Sequence, residues 1–376
     1  MQAIDTAVLV IGAGPAGART AEKLATKGID VSVIEKDQFA GKTNVCGGSI
    51  DAAFVKELEI PSSIVKIITK WIYHFPFKEV EVEIENLSFA RCNFDKYLAD
   101  RAVSHGAKLL TSTIATQVRR DETGVEVMTV DRNSGEKKLL RSNLVVFADG
   151  PSTLAQKFFG IGFRGTRTNT AVGAIYEFEH DEGDEVYDLF FDKRISPWGY
   201  GWIFPKSDHL NVGVGCLVAR IDAPMKEHLD YFVYKHPVVS RRLEGRRKLR
   251  FAAAAIPFGP VEKISDTRIL VVGDAAGMVD SIWGGGIGFG LKAADLVASV
   301  VSEALARNRF DKSFLAQYDA LWEKSKMYDV LRKFKILSDM ALRLDGVYKN
   351  VYPRLVQLVL WRLMALRKSQ NHTRRH

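Results

Sequence analysis

The feature that most restricts what this chain can become is Gly12-Ala13-Gly14-Pro15-Ala16-Gly17, set directly after the apolar run 6–11 and before a helical stretch reaching Lys27. Glycines in the GxGxxG spacing at a strand-to-helix turn let the backbone approach a pyrophosphate, and the helix N-terminus then faces its negative charge. The second strand-like run, 30–35, ends in Glu35, 18 residues past Gly17. A carboxylate there can accept hydrogen bonds from ribose hydroxyls and would repel a 2′-phosphate. Strand, glycines, helix, strand and acid in that order predict a βαβ unit that binds an adenosine dinucleotide through Gly12, Gly14, Ala16, Gly17, Glu35 and Lys36. This segment alone suits FAD and NAD equally.

The rest of the chain does not repeat that pattern. Alternating stretches at 79–85, 124–130, 171–178, 186–191 and 210–217 predict antiparallel strands, whereas the apolar runs 144–148 and 269–273 read as buried parallel ones. A chain of 376 residues with 47% hydrophobic and 26% charged side chains can bury two packed domains, so disorder is excluded. The expected division is a dinucleotide-binding domain in two parts, 1–160 and 256–310, an inserted antiparallel-sheet domain at 161–255, and a helical region at 311–376.

Composition removes several other classes. The three cysteines, Cys46, Cys92 and Cys216, are odd in number and irregularly spaced, which speaks against a disulfide framework and for a reducing compartment. No CxxC or HExxH occurs, and no metal site is expected. The first residues run straight into a strand without a basic leader, and no apolar run reaches a membrane-spanning length. A cytoplasmic protein is the expectation. Residues 311–376 hold 14 Lys and Arg against 6 Asp and Glu, a surplus equal to the whole chain's +8. The charge therefore belongs to the tail, and with no nucleic-acid module in view no nucleic-acid partner is expected.

Two later segments favour FAD. Ala148-Asp149-Gly150 and Gly273-Asp274-Ala275-Ala276-Gly277 follow the two buried strands, and Arg91-Cys92-Asn93-Phe94-Asp95 opens a helical stretch. In this order they resemble the motifs of the FAD-dependent family that includes p-hydroxybenzoate hydroxylase, flavin-dependent halogenases and geranylgeranyl reductases, over about residues 5–310. The resemblance implies a glutathione-reductase-like α/β fold with an inserted antiparallel sheet and C-terminal helices. It also implies bound FAD held by Arg91, Asp149, Gly150, Asp274, Gly285, Gly286 and Ile287 as well, with Asp274 on the ribityl chain. The family usually carries a proline shortly before the glycine run, where this chain has Ser281.

Within that family, Tyr200-Gly201-Trp202-Ile203-Phe204-Pro205-Lys206 matches the (Y/F)xWxFPK motif of geranylgeranyl reductases, whereas halogenases carry WxWxIP. On a strand Tyr200, Trp202 and Phe204 share one face. Lys42-Thr43-Asn44-Val45-Cys46-Gly47-Gly48 is similar to the cysteine-glycine-glycine loop of the same enzymes. The resemblance implies that Cys46 and Gly47 lie beside both flavin and substrate, with Cys46, Tyr200 and Trp202 catalytic and Phe204 lining the substrate site.

The reaction so implied is saturation of isoprenoid double bonds in a lipid by hydride from reduced flavin, with Cys46, Tyr200 or a water supplying the proton. The electron donor, whether NADPH, ferredoxin or another carrier, leaves no second glycine motif to read. A flavin-dependent monooxygenase or halogenase, and a membrane-peripheral electron-transfer flavoprotein, are the rival readings. Residues 352–368 suit an interfacial helix with basic residues toward lipid at the inner face of the membrane, and equally a helix packed on the enzyme body.

Overall fold

The chain is described by a computed structural model over residues 4–42, 45–180, 185–345 and 351–373. Thr43 and Asn44 of the cysteine loop, and Arg374 and Arg375 of the basic tail, lie outside the described residues.

The glycine-rich turn sits at the centre of a parallel sheet. The strands run in the order Ile269–Val271, Lys137–Phe147, Ile4–Ile11, Val31–Ile34, Lys108–Leu110, all parallel to their neighbours. Both faces are covered, which is why these strands are continuous apolar runs: Val8, Leu9 and Val10 have no exposed surface. Helices Pro15–Ala25, Arg91–Ser104 and Ile287–Ala306 bury their apolar stripes in the same core. The hairpin Thr113–Arg120 and Val125–Asp131 joins the long strand Lys137–Phe147 in antiparallel register.

A second sheet of eight strands runs Lys248–Pro257, Thr170–Glu179, His209–Leu217, Gly199–Pro205, Val186–Phe190, Val65–Phe75, Lys78–Phe89, Ser49–Asp51. Every pair is antiparallel except Val186–Phe190 with Val65–Phe75, where Tyr187 lies beside Trp71. Residues 49–89, expected within the first part of the dinucleotide-binding domain, thus supply three strands to this sheet. Trp71, Tyr73 and Phe75 alternate toward one face and there join the aromatic face of the second sheet.

The two faces of this sheet bury different things. Ala174, Tyr176, Ile203, Val212 and Val214 pack under helices Met225–Tyr234 and Pro237–Arg242. The opposite face carries Trp71, Tyr73, Tyr187, Trp202 and Phe204 and is covered by Tyr352, Leu355, Val356, Val359 and Leu360 of helix Val351–Thr373. The first half of that C-terminal helix therefore packs on the enzyme body. No helix among the described residues is long and apolar enough to cross a membrane.

Candidate active site

The dinucleotide end is built from backbone proximity. Gly12 has φ +100° and a Cβ there would stand 2.4 Å from the Ala148 carbonyl oxygen, while one at Gly17 would stand 2.0 Å from the Gly12 oxygen. These two glycines weld the turn to the strand end carrying Asp149. Gly14 differs, since a Cβ there would meet nothing within 4 Å. Its absent side chain leaves open space at the N-cap of helix Pro15–Ala25, the place where a pyrophosphate would meet the helix N-terminus. The residues present fit an adenosine dinucleotide on that ground. Ala16 lies against Gly273 and Gly290, so the same turn also seats the second motif.

Glu35 is buried and accepts hydrogen bonds from the Ala13 N–H (2.9 Å) and the Asp37 N–H (3.0 Å). Burial pushes its carboxyl up, against the pull of those two donors. It thus braces the glycine turn from the end of the second strand. Lys36 beside it is exposed. The Asp149 carboxylate takes the Leu154 N–H at 2.7 Å through one oxygen and leaves the other, Oδ1, buried without a partner. Burial pushes that carboxyl up to about 6. An acceptor so placed, next to Gly150 with φ +83°, suits a hydroxyl-bearing ligand.

At the other end, Arg91 grips Asp95 with two hydrogen bonds of 2.7 Å, from Nε and from a terminal nitrogen. Burial works against its charge, but Asp95 outweighs that, and Cys46 and Asp274 lie within electrostatic reach. Asp274 is exposed yet surrounded closely enough by protein that desolvation pushes its carboxyl up, against the attraction of Arg91. A Cβ on Gly286 would stand 3.3 Å from Asp274 Oδ1, and Ile287 begins the helix that follows. Cys46, Arg91, Asp274 and the 284–286 glycines therefore converge although they are far apart in the chain.

The glycine loop itself is organised by Asp280, which sequence reasoning did not single out. This buried carboxylate accepts from the N–H groups of Ile282 (3.0 Å), Trp283 (2.6 Å) and Gly285 (2.9 Å). Its neighbour Ser281, standing where the family has proline, is buried with an unpartnered hydroxyl.

Facing this loop is the aromatic sheet face. Tyr200, Trp202 and Phe204 form a row at 5.9 and 6.2 Å, with Phe204 4.2 Å from Tyr187 and 5.9 Å from Trp71 between ring centres. The neighbouring strand makes room for it, because Gly213 and Gly215 pair with Trp202 and Tyr200. Trp71, Tyr73 and Tyr187 extend the row across three strands and were not anticipated. The signal was available in the alternation Trp71-Ile72-Tyr73-His74-Phe75. Tyr200 donates its hydroxyl to the Trp283 carbonyl, and burial, with Asp280 nearby, pushes its phenol well above the usual range. That makes Tyr200 a weak acid with its proton already committed.

The cysteine loop docks onto this face through hydrogen bonds that tie it to the sheet. Trp202 Nε1 donates to Asn211 Oδ1 at 2.8 Å, and Asn211 Nδ2 donates to the Cys46 carbonyl at 3.1 Å. Gly47 packs on Phe204, where a Cβ would stand 3.1 Å from the ring. Lys206 donates to the carbonyls of Gly47 and Gly48. A surface pocket of about 440 Å³ lined by Phe178, Tyr234, Arg241 and Lys248 opens on the other side of the sheet, and no residue of this cluster lines it.

Residues 169–255 match the family described as geranylgeranyl reductase catalytic domain, and residues 7–84 and 86–180 match families described as FAD binding domains. The chain is 30% identical over 348 residues to the digeranylgeranylglycerophospholipid reductase of Methanocaldococcus jannaschii, covering 89% of this chain and 87% of that one. It is also 30% identical to digeranylgeranylglycerophospholipid reductase 2 of Methanothermobacter thermautotrophicus, covering 87% and 86%. A Thermoplasma acidophilum structure described as geranylgeranyl bacteriochlorophyll reductase-like superposes with a TM-score of 0.84 at 23% identity, covering 95% and 91% of the two chains. A flavin-dependent brominase shares the fold at a TM-score of 0.73 and 18% identity, covering 94% of this chain and 93% of its own.

Proposed function

This chain belongs to the geranylgeranyl reductase family of FAD-dependent oxidoreductases, and on that premise we propose that it saturates the prenyl chains of a digeranylgeranylglycerophospholipid, with Cys46 as the proton donor. FAD, when bound and reduced, supplies the hydride. The protein's own residues do the rest. Gly12, Gly14, Gly17 and Glu35 form the seat for the adenosine end, and Asp149, Arg91 and Asp274 offer polar groups along the path to Gly285 and Gly286. Tyr200, Trp202 and Phe204 give an alkene a dry, flat surface, which an isolated double bond requires because it offers no polar handle.

Addition of hydride to one alkene carbon leaves the other needing a proton. The observation that supports Cys46 in this role is the Trp202–Asn211–Cys46 relay, which holds the loop bearing the thiol against the aromatic face. Tyr200 is the poorer candidate, since its hydroxyl is bound to Trp283 and its acidity is suppressed. Net, one hydride and one proton are consumed per double bond.

We further propose that the C-terminal helices meet a lipid surface. Ile336, Met340 and Leu344 recur every fourth residue on helix Lys326–Leu344 and are 50%, 56% and 46% exposed, and Leu358 and Trp361 of the last helix are exposed as well. Lys333, Arg343, Arg354 and Arg362 lie on the same two helices, and cationic residues near an anionic bilayer add roughly 1 kcal/mol each. The electron donor is a separate soluble or membrane carrier, NADPH or ferredoxin among them. The function is tested by incubating the reduced enzyme with digeranylgeranylglycerophospholipid and weighing the product. A gain of two hydrogens per double bond is expected, and unchanged lipid would overturn the reading.

A further inference from the structure

Lys206 is 1% exposed and no carboxylate of the described residues forms an ion pair with it. Its ammonium nitrogen instead meets three neutral acceptors: the carbonyl oxygens of Gly47 and Gly48 (2.8 Å to the latter) and the Ser88 hydroxyl oxygen at 3.0 Å. The rings of Tyr187 and Phe204 flank it at 5.8 and 5.6 Å. The Ser88 hydroxyl places its own hydrogen on the Pro205 carbonyl at 2.6 Å, so toward Lys206 it can only accept. An ammonium has three hydrogens for three acceptors, whereas a neutral amine has two and turns a lone pair on the third. The arrangement is complete only when Lys206 carries its proton.

What it holds is the loop bearing Cys46. Asn211 takes the Cys46 carbonyl and Lys206 takes the next two, so three successive carbonyls are fixed by two side chains of one hairpin. Gly48 has φ +64°, and a Cβ there would lie 2.1 Å from the Phe89 oxygen, so the loop is pressed against the neighbouring strand. In this conformation the Gly48 N–H donates to the Cys46 sulfur at 3.3 Å, turning the thiol back onto its own loop.

We propose that protonated Lys206 is a positioning residue that clamps the Cys46–Gly48 loop and aims the thiol, and that loss of its proton releases the loop. This rests on the role given to Cys46 above. The charged and titratable groups facing Lys206 are Cys46 from the loop, Tyr187 and Glu177 from other strands of the sheet, and Asp208 from the same turn as Lys206. Glu177 is paired with Arg250 and Asp208 with His209, and burial keeps the Tyr187 hydroxyl protonated. Burial dominates these attractions and draws the Lys206 ammonium down to about 7, so the clamp switches near neutrality.

The test is the alkylation rate of Cys46 in the FAD-loaded protein, read by peptide mass across the range either side of neutral pH. Thiolate formation contributes one proton to the slope of log rate against pH, and release of the clamp contributes a second. Wild type should therefore show a two-proton slope below neutrality that relaxes to one proton above it. In Ser88→Ala the amine has only two carbonyls to serve and its neutral form suffices. That variant should follow a one-proton slope throughout, with the loop held in either form and without the extra acceleration that wild type gains as pH rises toward neutrality. Lys206→Met should also lose the second proton, and Ser88→Ala decides the matter if the methionine variant does not fold. A one-proton slope in wild type, or a two-proton slope surviving in Ser88→Ala, overturns the proposal. Should Cys46→Ala retain prenyl reduction, the role given to Cys46 fails while the slopes still report on the clamp.

Discussion

The indole of Trp202 fills the space that a side chain on Gly213 would occupy: a Cβ there would stand 2.2 Å from the ring. The two residues are paired across adjacent strands, so neither backbone can yield without disturbing the sheet. Gly213→Ala should swing the indole away from Asn211 and out of the aromatic row, at a cost of about 1–3 kcal/mol in stability. Prenyl reduction should fall by more than tenfold, about the effect of 1.4 kcal/mol on a barrier, while FAD content, measured by absorbance, stays near one per chain as no FAD-binding motif is touched.

The glycines of the first turn do different jobs and should be separable. At Gly14 an added methyl meets open space in the protein, so Gly14→Ala should leave the melting temperature of the FAD-free protein unchanged and weaken FAD binding by about tenfold or more, roughly 1.4 kcal/mol. At Gly12 the positive φ and the Ala148 oxygen at 2.4 Å make the same substitution a folding defect of about 1–3 kcal/mol. Calorimetry of the two FAD-free proteins distinguishes the cases.

The proton donor can be assigned by substitution. Removing a general acid costs roughly a hundred- to ten-thousand-fold, so Cys46→Ala should lose that much in turnover with the bound flavin still reducible. Tyr200→Phe removes one hydrogen bond to Trp283, worth about 1 kcal/mol, and should cost less than about tenfold. Single-turnover rates of the two variants, compared with wild type, give the answer.

The proposed lipid contact of the C-terminal helices is separable from the reaction. Replacing Ile336 and Met340 by glutamate puts charge on the exposed helix face without touching the buried one. Flotation with anionic vesicles should drop by about tenfold or more, as two charges oppose an attraction of roughly 1 kcal/mol per cation. Turnover of detergent-dispersed lipid should be unchanged.

How far the chain could be read in advance follows the range of the interactions. The glycine turn and its brace were legible because Gly12, Gly14, Gly17 and Glu35 are close in sequence and each has a local backbone reason. The aromatic row at Tyr200, Trp202 and Phe204 was legible from period-two alternation. For the third strand of that face the alternation at Trp71, Tyr73 and Phe75 marks a strand but not its place in this sheet, because its partner Tyr187 lies more than a hundred residues on. The hold of Asn211 and Lys206 on the cysteine loop spans 165 and 158 residues, and no spacing rule encodes it. Asp280 went unnoticed for a different reason: an aspartate before glycines is common in turns, and only its three amide partners reveal that it shapes the loop. Of the two readings of the basic tail, residues 352–360 follow the packed one, since five of them fill the aromatic core.

The central claim is that this protein reduces an isoprenoid alkene with electrons from its flavin. It is tested most directly by reducing the FAD-loaded enzyme chemically under strict exclusion of oxygen, adding digeranylgeranylglycerophospholipid, and following the visible absorbance of the flavin in a single turnover. The account predicts that oxidised flavin returns in step with lipid saturation, and that it fails to do so in Cys46→Ala. Flavin that stays reduced until oxygen is admitted would contradict it and assign the protein to oxygen-activating chemistry.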